Sequence, residues 1–257
     1  MLLAVDIGNT NVHCALFDGP ELCRRWRVAT DAARATGDVG LGPGGRGTVS
    51  AAVICSVAPS AAARVGSRLV RDLRCDPLWV RSAAQTGLTT RYADPDSVGI
   101  DRLVACRAAL EAYHRDAVVV DFGTAITVDL VTSAGVHLGG AIGPGMEAAV
   151  ETLAQRAELL NAFELAPPRR AIGVSTQECL QVGFVRGFAG LVDRLVEDAV
   201  AEASWSLSEV ACVATGGRAE LFVGVSRCLR DLRPALVLEG LRAIWQDAQT
   251  HTAGEPA

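Results

Sequence analysis

The chain opens with Leu2-Leu3-Ala4-Val5-Asp6-Ile7-Gly8-Asn9-Thr10-Asn11, and this segment decides the fold. An apolar run that ends in an acid and is soon followed by glycine is typical of a buried strand leading into a tight turn. Residues 11–17 predict a second strand, and Asp18-Gly19 indicates a hairpin. A carboxylate at the end of such a strand faces the crevice in which α/β proteins usually bind ligands.

The same pattern returns in the second half of the chain. Val120-Asp121-Phe122-Gly123-Thr124-Ala125 matches Val5-Asp6-Ile7-Gly8-Asn9-Thr10 in its apolar strand end, its acid, its glycine and its polar turn. A repeat of this size predicts two homologous domains, because each copy builds its own strand–turn–strand unit. We place these domains at residues 1–116 and 117–257.

Hydrophobic periodicity extends the α/β pattern along the rest of the chain. Predicted strands cover residues 26–29, 51–57, 77–80, 117–121, 126–131 and 211–215. Predicted helices cover residues 60–73, 101–114, 145–160, 176–202 and 239–247. Residues 37–47 predict a loop because they are rich in glycine, and residues 86–98 predict another that contains a proline.

The composition excludes several classes of function. With 257 residues, of which 50% are apolar and 21% charged, the chain has the composition of a globular protein. Its 24 basic residues are all arginine, since the sequence contains no lysine. P-loop NTPases, protein kinases and Schiff-base enzymes each depend on a lysine, so these classes are excluded.

Charge, hydropathy and cysteine content indicate the surroundings of the protein. The net charge is −5 and the arginines are scattered, which argues against a nucleic-acid partner. The amino terminus has no basic segment and no apolar run is long enough to span a membrane, so we expect a cytoplasmic protein without a membrane contact. The eight cysteines include no Cys-x-x-Cys pair, and we expect plain buried thiols.

The turn after Asp6 contains residue types that bind phosphate. Gly8 lets the backbone approach a ligand closely, and the turn N–H groups together with Thr10 and Asn11 can surround phosphate oxygens. Asp6 can hold Mg²⁺ directly or through water. A plain β-hairpin with a polar turn is the alternative interpretation, and the second copy at Asp121 weakens it.

Three elements together resemble the phosphate-1, phosphate-2 and adenosine motifs of the actin/hexokinase superfamily. They are the two Asp-x-Gly turns at Asp6 and Asp121 and the segment Thr215-Gly216-Gly217. The resemblance implies an α/β fold of duplicated actin-like (ribonuclease H-like) domains with a central inter-domain cleft. That superfamily needs no catalytic lysine, which agrees with the composition.

A second constellation, Val98-Gly99-Ile100-Asp101-Arg102, opens the predicted helix of the first half. An acid near a helix start stays ionised with the help of the helix dipole, so Asp101 could accept a proton from a hydroxyl nucleophile. Arg102 can bind a carboxylate through two parallel hydrogen bonds. From spacing alone, an N-terminal helix acid beside an unrelated surface arginine is the simpler interpretation.

Taken in order, the motifs resemble type III pantothenate kinase over nearly the whole chain. The matching segments are Asp6-Ile7-Gly8-Asn9-Thr10-Asn11, Thr86-Gly87-Leu88 with Tyr92, Pro95 and Gly99-Ile100-Asp101-Arg102, Asp121-Phe122-Gly123-Thr124-Ala125-Ile126-Thr127, Gly139-Gly140-Ala141-Ile142-Gly143-Pro144-Gly145, and Thr215-Gly216-Gly217 with Leu238-Glu239-Gly240-Leu241. The resemblance implies a homodimeric kinase that transfers the γ-phosphate of ATP to the primary hydroxyl of pantothenate. The product would be 4′-phosphopantothenate, formed in the first step of coenzyme A biosynthesis. The resemblance also implies a need for Mg²⁺ and for a monovalent cation, K⁺ or NH₄⁺.

The resemblance also assigns roles to individual residues. ATP would be bound by Asp6, Ile7, Gly8, Asn9, Thr10, Asn11, Val12, His13 and Thr124. Pantothenate would be bound by Tyr92, Gly99, Ile100, Asp101, Arg102 and, across the dimer interface, Thr176. Asp101 would be the general base, Asp121 would bind the monovalent cation, and Asp6 would serve Mg²⁺.

The chain departs from the family pattern in three places. Residues 34–47 are short and Gly-rich where a longer helix is usual, so we expect a looser wall on the nucleotide side. Ser175 stands where asparagine is common, next to Thr176, so we expect a weaker pantothenate contact there. Gly143 stands where alanine is common. The two histidines His13 and His137 lie on predicted strands, and we interpret both as structural.

Two other functions stay open at the level of sequence. One is a catalytically weak or inactive homologue that acts as an accessory or regulatory binding protein; the intact Asp6, Asp101, Arg102 and Asp121 argue against it. The other is an actin-fold kinase or phosphatase that acts on a sugar, an acetate-like acid or polyphosphate. The Gly-x-Asp-Arg segment with Tyr92 discriminates between these substrates, because it indicates a small carboxylate.

Overall fold

The computed structural model describes residues 1–42, 47–157 and 164–253, with side chains described as far as residue 250. Parts of the predicted segments 37–47 and 145–160 lie outside the described residues. The strands are β1 Leu2–Ile7, β2 Asn11–Asp18, β3 Glu21–Ala29, β4 Ala51–Ser56, β5 Leu78–Val80, β6 Thr89–Thr90, β7 Ala117–Phe122, β8 Ala125–Val131, β9 Val136–Pro144, β10 Ala211–Gly216 and β11 Asp231–Leu232. The helices are α1 Thr30–Thr36, α2 Pro59–Leu73, α3 Ile100–Tyr113, α4 Met146–Arg156, α5 Thr176–Gln181, α6 Gly187–Glu202 and α7 Leu236–Ala253.

The chain packs into two compact units. Unit 1 consists of Met1–Ala112, Gly135–His137 and the segment that starts at Ala235, and unit 2 consists of Tyr113–Ala134 and Leu138–Pro234. This division differs from the predicted 1–116 and 117–257 chiefly at the carboxyl end of the chain. The reason is that α7 packs against β1, β2 and β4 of unit 1.

Unit 1 is built on a five-stranded sheet in the order β3-β2-β1-β4-β5. β1 pairs antiparallel with β2 and parallel with β4, and all six of its residues are buried, as expected for its apolar sequence. One face carries Leu3, Val5 and Ile7 and packs with α1 and α2 residues such as Ala33 and Val65. On the other side, Gly240 of α7 lies so close to the backbone of α3 that a β-carbon would overlap the Val104 carbonyl.

Unit 2 repeats the same strand arrangement. β7 pairs antiparallel with β8 and parallel with β10, which continues to β11. The apolar side chains of these strands pack against α6 through residues such as Val192 and Val196. The predicted strands at 117–121, 126–131 and 211–215 therefore lie where the sequence indicates.

The predicted helix over 176–202 forms with these bounds, but it is not a regular α-helix throughout. It consists of α5, a π-helical turn at Val182–Arg186, and α6. The wider turn inserts an extra residue into the helical repeat, which apolar periodicity alone does not reveal. Within the predicted loop over 86–98, the structure forms the short strand β6 and a 3₁₀ turn at Pro95–Ser97.

All eight cysteines are free thiols, but they are not all buried. The thiols of Cys23 and Cys179 are exposed and that of Cys75 is partly exposed, so the expectation of uniformly buried cysteines is wrong for these three. The buried thiols are Cys14, Cys55, Cys106, Cys212 and Cys228.

Candidate active site

Asp6 lies near the carboxyl end of β1 and is almost fully buried, with 9% of its surface exposed. Its neighbours in register are His13 on β2 and Cys55 on β4, so the three side chains share one face of the sheet. The Cys55 thiol donates a hydrogen bond to Oδ1 of Asp6 over 3.4 Å. The carboxylate at this strand end therefore has a fixed buried donor that holds its orientation.

The turn after β1 is held from within and exposed at its tip. Gly8 N–H donates to the Asn11 carbonyl over 3.0 Å, which closes the turn. Thr30 binds it on two sides: its hydroxyl donates to the Gly8 carbonyl over 2.8 Å, and its N–H donates to the Thr10 carbonyl over 2.9 Å. Asn9 and Thr10 are exposed. Such a braced turn with outward polar groups can face an anion without rearranging.

His13 carries no positive charge at neutral pH. Its burial lowers the pKa of the imidazole, and the positive charges of Arg27 and Arg25 lower it further. Arg27 is the cross-strand neighbour of His13 on β3. A neutral, half-buried imidazole agrees with the structural interpretation of this residue.

Asp101 stands in the first turn of α3, and Gly99 makes room for its carboxylate. Oδ1 of Asp101 accepts a hydrogen bond from the Arg102 N–H over 2.9 Å. A β-carbon on Gly99 would come within 2.7 Å of that same oxygen. Glycine at residue 99 therefore leaves room for the Asp101 carboxylate in this position, from which a β-carbon would displace it.

The negative charges of Asp6 and Asp101 both affect the pKa of one buried thiol, that of Cys55. Burial raises the pKa of Cys55 well above its ordinary value, and the negative charges of Asp6 and then of Asp101 raise it further. Two acids far apart in sequence thus lie in one region of unit 1. Cys55 is a site residue that the sequence analysis missed; aligning the ends of the parallel strands β1 and β4 would have indicated it.

Tyr92 is packed against the residues that flank this segment. Its ring lies on a small apolar cluster that contains Val98, immediately before Gly99, and Leu103, immediately after Arg102. The structure therefore brings together Tyr92 and the Gly-x-Asp-Arg segment, which the sequence analysis assigned to one substrate.

In unit 2, Asp121 occupies the position that corresponds to Asp6. It is half-buried, and its neighbours in register are Thr127 on β8 and Thr215 on β10. Gly216 has a backbone φ of +96°, and a β-carbon there would overlap both the Asp121 carboxylate and the Phe122 carbonyl. This carboxylate therefore lies among oxygen-bearing groups, which are the ligands that hard cations prefer.

The loop that contains Thr124 is exposed and rests on Gly145 at the start of α4. A β-carbon on Gly145 would overlap the Thr124 carbonyl, so glycine permits the close contact. An open pocket of unit 2 adjoins this loop, and Arg218 and Glu147 form an ion pair of 2.9 Å in its lining. The residues that line the pocket are Phe122, Gly123, Ile126, Met146, Glu147, Arg218 and Phe222.

Thr176 is exposed at the first position of α5, and Ser175 caps that helix. The Ser175 hydroxyl accepts a hydrogen bond from the Glu178 N–H over 3.2 Å, and the Glu178 carboxylate accepts one from the Val174 N–H over 2.8 Å. The departure from asparagine at residue 175 thus keeps a good N-cap. Ile172 and Val174 nearby are 78% and 72% exposed, an unusual extent for large apolar side chains.

The single carboxylate at Asp6 fits one of the predicted cations, Mg²⁺. Among the described residues, no group of three or more His, Cys, Asp and Glu side chains is arranged to hold a metal. A single carboxylate such as Asp6 suits Mg²⁺ that is held mainly by nucleotide phosphates and water.

No helix among the described residues combines the length and apolar character needed to cross a bilayer.

Comparison with known proteins places this geometry in a family. The sequence profile of the family described as Type III pantothenate kinase matches residues 2–198. The chain belongs to this family. Type III pantothenate kinases from Salinispora arenicola and Frankia alni are 40% and 39% identical to it, over 95% and 96% of this chain and 98% and 99% of theirs. Family membership confirms the predicted resemblance and the predicted enzyme class, a kinase for pantothenate.

Solved structures confirm the predicted fold class of duplicated actin-like domains. A Campylobacter jejuni protein described as a Baf family transcriptional activator has a TM-score of 0.63 at 19% identity and covers 96% of this chain and 99% of its own. An activator of 2-hydroxyisocaproyl-CoA dehydratase from Clostridium difficile has a TM-score of 0.58 at 12% identity, covering 100% of this chain and 98% of its own. At these identities the likeness concerns the fold alone.

Proposed function

We propose that this enzyme transfers the γ-phosphate of ATP to the primary hydroxyl of pantothenate, in the first step of coenzyme A biosynthesis, with Asp101 as general base. The observation that carries the proposal is the position of Asp101. Its carboxylate stands at the start of α3, is oriented by the Arg102 N–H, and acts on the same buried thiol as Asp6. A carboxylate in the same region as Asp6 is suited to accept the proton of a substrate hydroxyl during phosphoryl transfer.

Arg102 and Tyr92 would hold pantothenate in a defined direction. The guanidinium of Arg102 can bind the substrate carboxylate through paired hydrogen bonds, while Tyr92 packs beside the segment that carries Asp101. Binding the carboxylate at one end presents the hydroxyl at the other end of the substrate to the base. Gly99 and Ile100 shape the same segment.

Asp6 and its turn would bind the phosphates of ATP. Asn9 and Thr10 are exposed at the tip, and Thr30 holds the turn from within, which favours a preorganised phosphate site. Mg²⁺, when bound, neutralises charge on the phosphates, and Asp6 is the residue placed to serve it directly or through water. In unit 2, Thr124 would contact ATP from its exposed loop.

Asp121 would bind the monovalent cation, K⁺ or NH₄⁺. The half-buried carboxylate has threonines on both sides in register, and it lies close to the backbone of Gly216. A cation bound there supplies positive charge that other kinases obtain from lysine, a residue this chain does not contain.

The enzyme would act as a homodimer in the cytoplasm. Ile172 and Val174 expose large apolar surfaces next to Thr176, which supports contact with a second copy and a contribution of Thr176 to pantothenate binding there. A cytoplasmic location agrees with the eight free thiols, since thiols persist in reducing compartments.

The test is an assay of the purified protein with ATP, Mg²⁺ and pantothenate, first with K⁺ and then with Na⁺ in its place. We expect product with K⁺ and a sharp fall with Na⁺. Product that is indifferent to the ion would remove the cation role of Asp121 but keep the kinase. Absence of product from folded dimer would favour the accessory-protein interpretation, and parallel reactions with glucose, acetate and polyphosphate check the other actin-fold activities.

A further inference from the structure

We propose that His137 and Thr90 are positioning residues that hold Tyr92 in place for pantothenate. The inference rests on the proposed role of Tyr92 as a substrate contact. His137 is fully buried, with none of its surface exposed. It is separated from Tyr92 by more than forty positions in the sequence, yet both belong to unit 1.

Backbone pairing between β6 and β9 holds the segment that precedes Tyr92. β6 pairs in parallel with the start of β9, so that Thr90 lies opposite His137. The Thr89 N–H donates to the Gly135 carbonyl and the Arg91 N–H donates to the His137 carbonyl, each over 3.0 Å. These two hydrogen bonds hold Thr89 and Arg91, the residues on either side of Thr90. Tyr92 follows directly after Arg91.

The Thr90 hydroxyl also connects the side chain of His137 to the backbone of Tyr92. Oγ1 of Thr90 lies 3.0 Å from Nδ1 of His137 and accepts a hydrogen bond from the Tyr92 N–H over 3.2 Å. A hydroxyl has one proton to donate and two lone pairs. Because its second lone pair stays available, the Thr90 hydroxyl can pair with Nδ1 as donor or as acceptor while it accepts from the Tyr92 N–H, so it links the imidazole to the backbone of Tyr92 with either tautomer.

The rings of Tyr92 and His137 also contact each other. The ring centres of Tyr92 and His137 are 5.8 Å apart and their planes are inclined by 33°. Tyr92 also packs on the cluster of Val98 and Leu103, which flank the segment that carries Asp101. The tyrosine ring is therefore held between the buried imidazole and the substrate-binding segment, and loss of the imidazole would leave it free to move.

The imidazole has no direct part in phosphate chemistry under this proposal. Its effect is expected on the binding of pantothenate, because it acts only through Thr90 and Tyr92. A role in general stability would instead change the unfolding temperature without separating the two substrates. The KM for pantothenate, measured against the KM for ATP, distinguishes these roles.

The central variant is Thr90→Val, which keeps the shape of the side chain and removes the hydroxyl. The variant removes both hydrogen bonds of the hydroxyl; since the net loss of one already corresponds to a change of about 3- to 10-fold, we expect the KM for pantothenate to rise by at least that factor. The KM for ATP should stay unchanged. Thr90→Ser should restore the wild-type value, because it keeps the hydroxyl.

The matched control is Thr89→Val. Thr89 lies on the same short strand, is exposed, and points to the opposite face because side chains alternate along a strand. The variant makes the same chemical change one position away and should leave both KM values at wild type.

A second pair of variants tests the imidazole itself. His137→Ala should raise the KM for pantothenate by at least as much as Thr90→Val, while His137→Asn keeps an amide near the position of Nδ1 that can donate to or accept from Thr90 and should restore part of the affinity. Since His137→Ala removes a buried side chain and can fail to fold, the Thr90 variants decide the matter on their own.

Two outcomes would overturn the inference. One is a wild-type KM for pantothenate in folded Thr90→Val; the other is an equal rise of both KM values, which indicates a general structural role. Tyr92→Ala separates failure of this inference from failure of the proposed function. If Tyr92→Ala raises the KM for pantothenate and Thr90→Val does not, only the positioning role is wrong; if neither does, the proposed role of Tyr92 is wrong as well.

Discussion

The turns after Asp6 and Asp121 are built on the same frame in both units. In unit 1, β1 lies between antiparallel β2 and parallel β4, and in unit 2, β7 lies between antiparallel β8 and parallel β10. Each acid is the second-last residue of its central strand, and each is followed two positions later by glycine. The two copies of the sequence pattern therefore place their acid at the same position of the same strand frame.

The two turns differ in length. In the first copy, Gly8 N–H reaches the carbonyl of Asn11, while in the second copy Gly123 N–H reaches the carbonyl of Ala125. The first turn therefore has one residue more, and its two exposed residues, Asn9 and Thr10, are both polar, whereas the second turn exposes Gly123 and Thr124. A tip with more polar side chains offers more groups to an anion.

The neighbours on the parallel strand differ as well. Beside Asp6 stands Cys55, a buried thiol that donates to the carboxylate, whereas beside Asp121 stands Thr215, followed by Gly216. One acid is buried next to sulfur, and the other is half-buried among oxygen atoms. A duplicated strand frame thus gives its two acids different surroundings, because the residues on the neighbouring parallel strands differ.

The largest effect is expected from Asp101→Asn, because it removes the carboxylate that we propose as the general base. We expect kcat to fall by about 10²–10⁴-fold, the usual contribution of a general base. Binding of ATP should be unchanged, since the amide has nearly the same shape as the carboxylate. Steady-state kinetics and calorimetry with a non-hydrolysable ATP analogue check both parts; wild-type turnover would remove Asp101 from the mechanism.

The next effect concerns the close contact between the end of β10 and the end of β7 at Asp121. Gly216→Ala places a side chain at a strained positive φ and against the Asp121 carboxylate, and we expect a loss of roughly 2–5 kcal/mol in the free energy of unfolding. Gly224→Ala is the matched control, because Gly224 has a φ of +90° with nothing within 4 Å of an added β-carbon. The control should lose only about 1–2 kcal/mol. Equal losses in urea denaturation would contradict the close contact with Asp121.

Asp6→Asn tests the first acid as the Mg²⁺ partner. Replacing a group that orients a metal or its bound water typically weakens metal affinity by about 10–100-fold, and we expect the Mg²⁺ concentration for half-maximal rate to rise by that amount. The dependence on K⁺ should be unaffected. Titration of Mn²⁺ in the presence of ADP, followed by water proton relaxation, gives a binding value that does not depend on turnover.

Asp121→Asn is the reciprocal test and carries the smallest expected effect. Removing one negative charge from a half-buried site should raise the K⁺ concentration for half-maximal rate about 10-fold, equivalent to about 1.4 kcal/mol. The response to Mg²⁺ should stay as in the wild type. If Asp6→Asn and Asp121→Asn both change the concentration for half-maximal rate of the same cation, the assignment of Mg²⁺ to Asp6 and of K⁺ to Asp121 is wrong.

Much of this arrangement was predictable from local pattern. The apolar runs that end in Asp6 and Asp121 predict their strands because burial on both faces demands continuous apolar sequence. The helix start at Gly99-Ile100-Asp101-Arg102 was predicted as well, whereas the close contact between Gly99 and the Asp101 carboxylate is seen only in the structure. The π-helical turn at Val182–Arg186 escaped prediction, because one extra residue in a helical repeat leaves the apolar pattern nearly intact.

By itself, the sequence determined the strand frame, the two acids, the absence of a catalytic lysine and the family. These properties depend on residue type and on short spacings, which are visible in the sequence itself. Only the tertiary structure decided that Cys55 donates to Asp6, that His137 lies against Tyr92, and that α7 packs on the sheet of unit 1. Such contacts join residues that are distant in the chain, and they form only when strand register and helix packing bring them together.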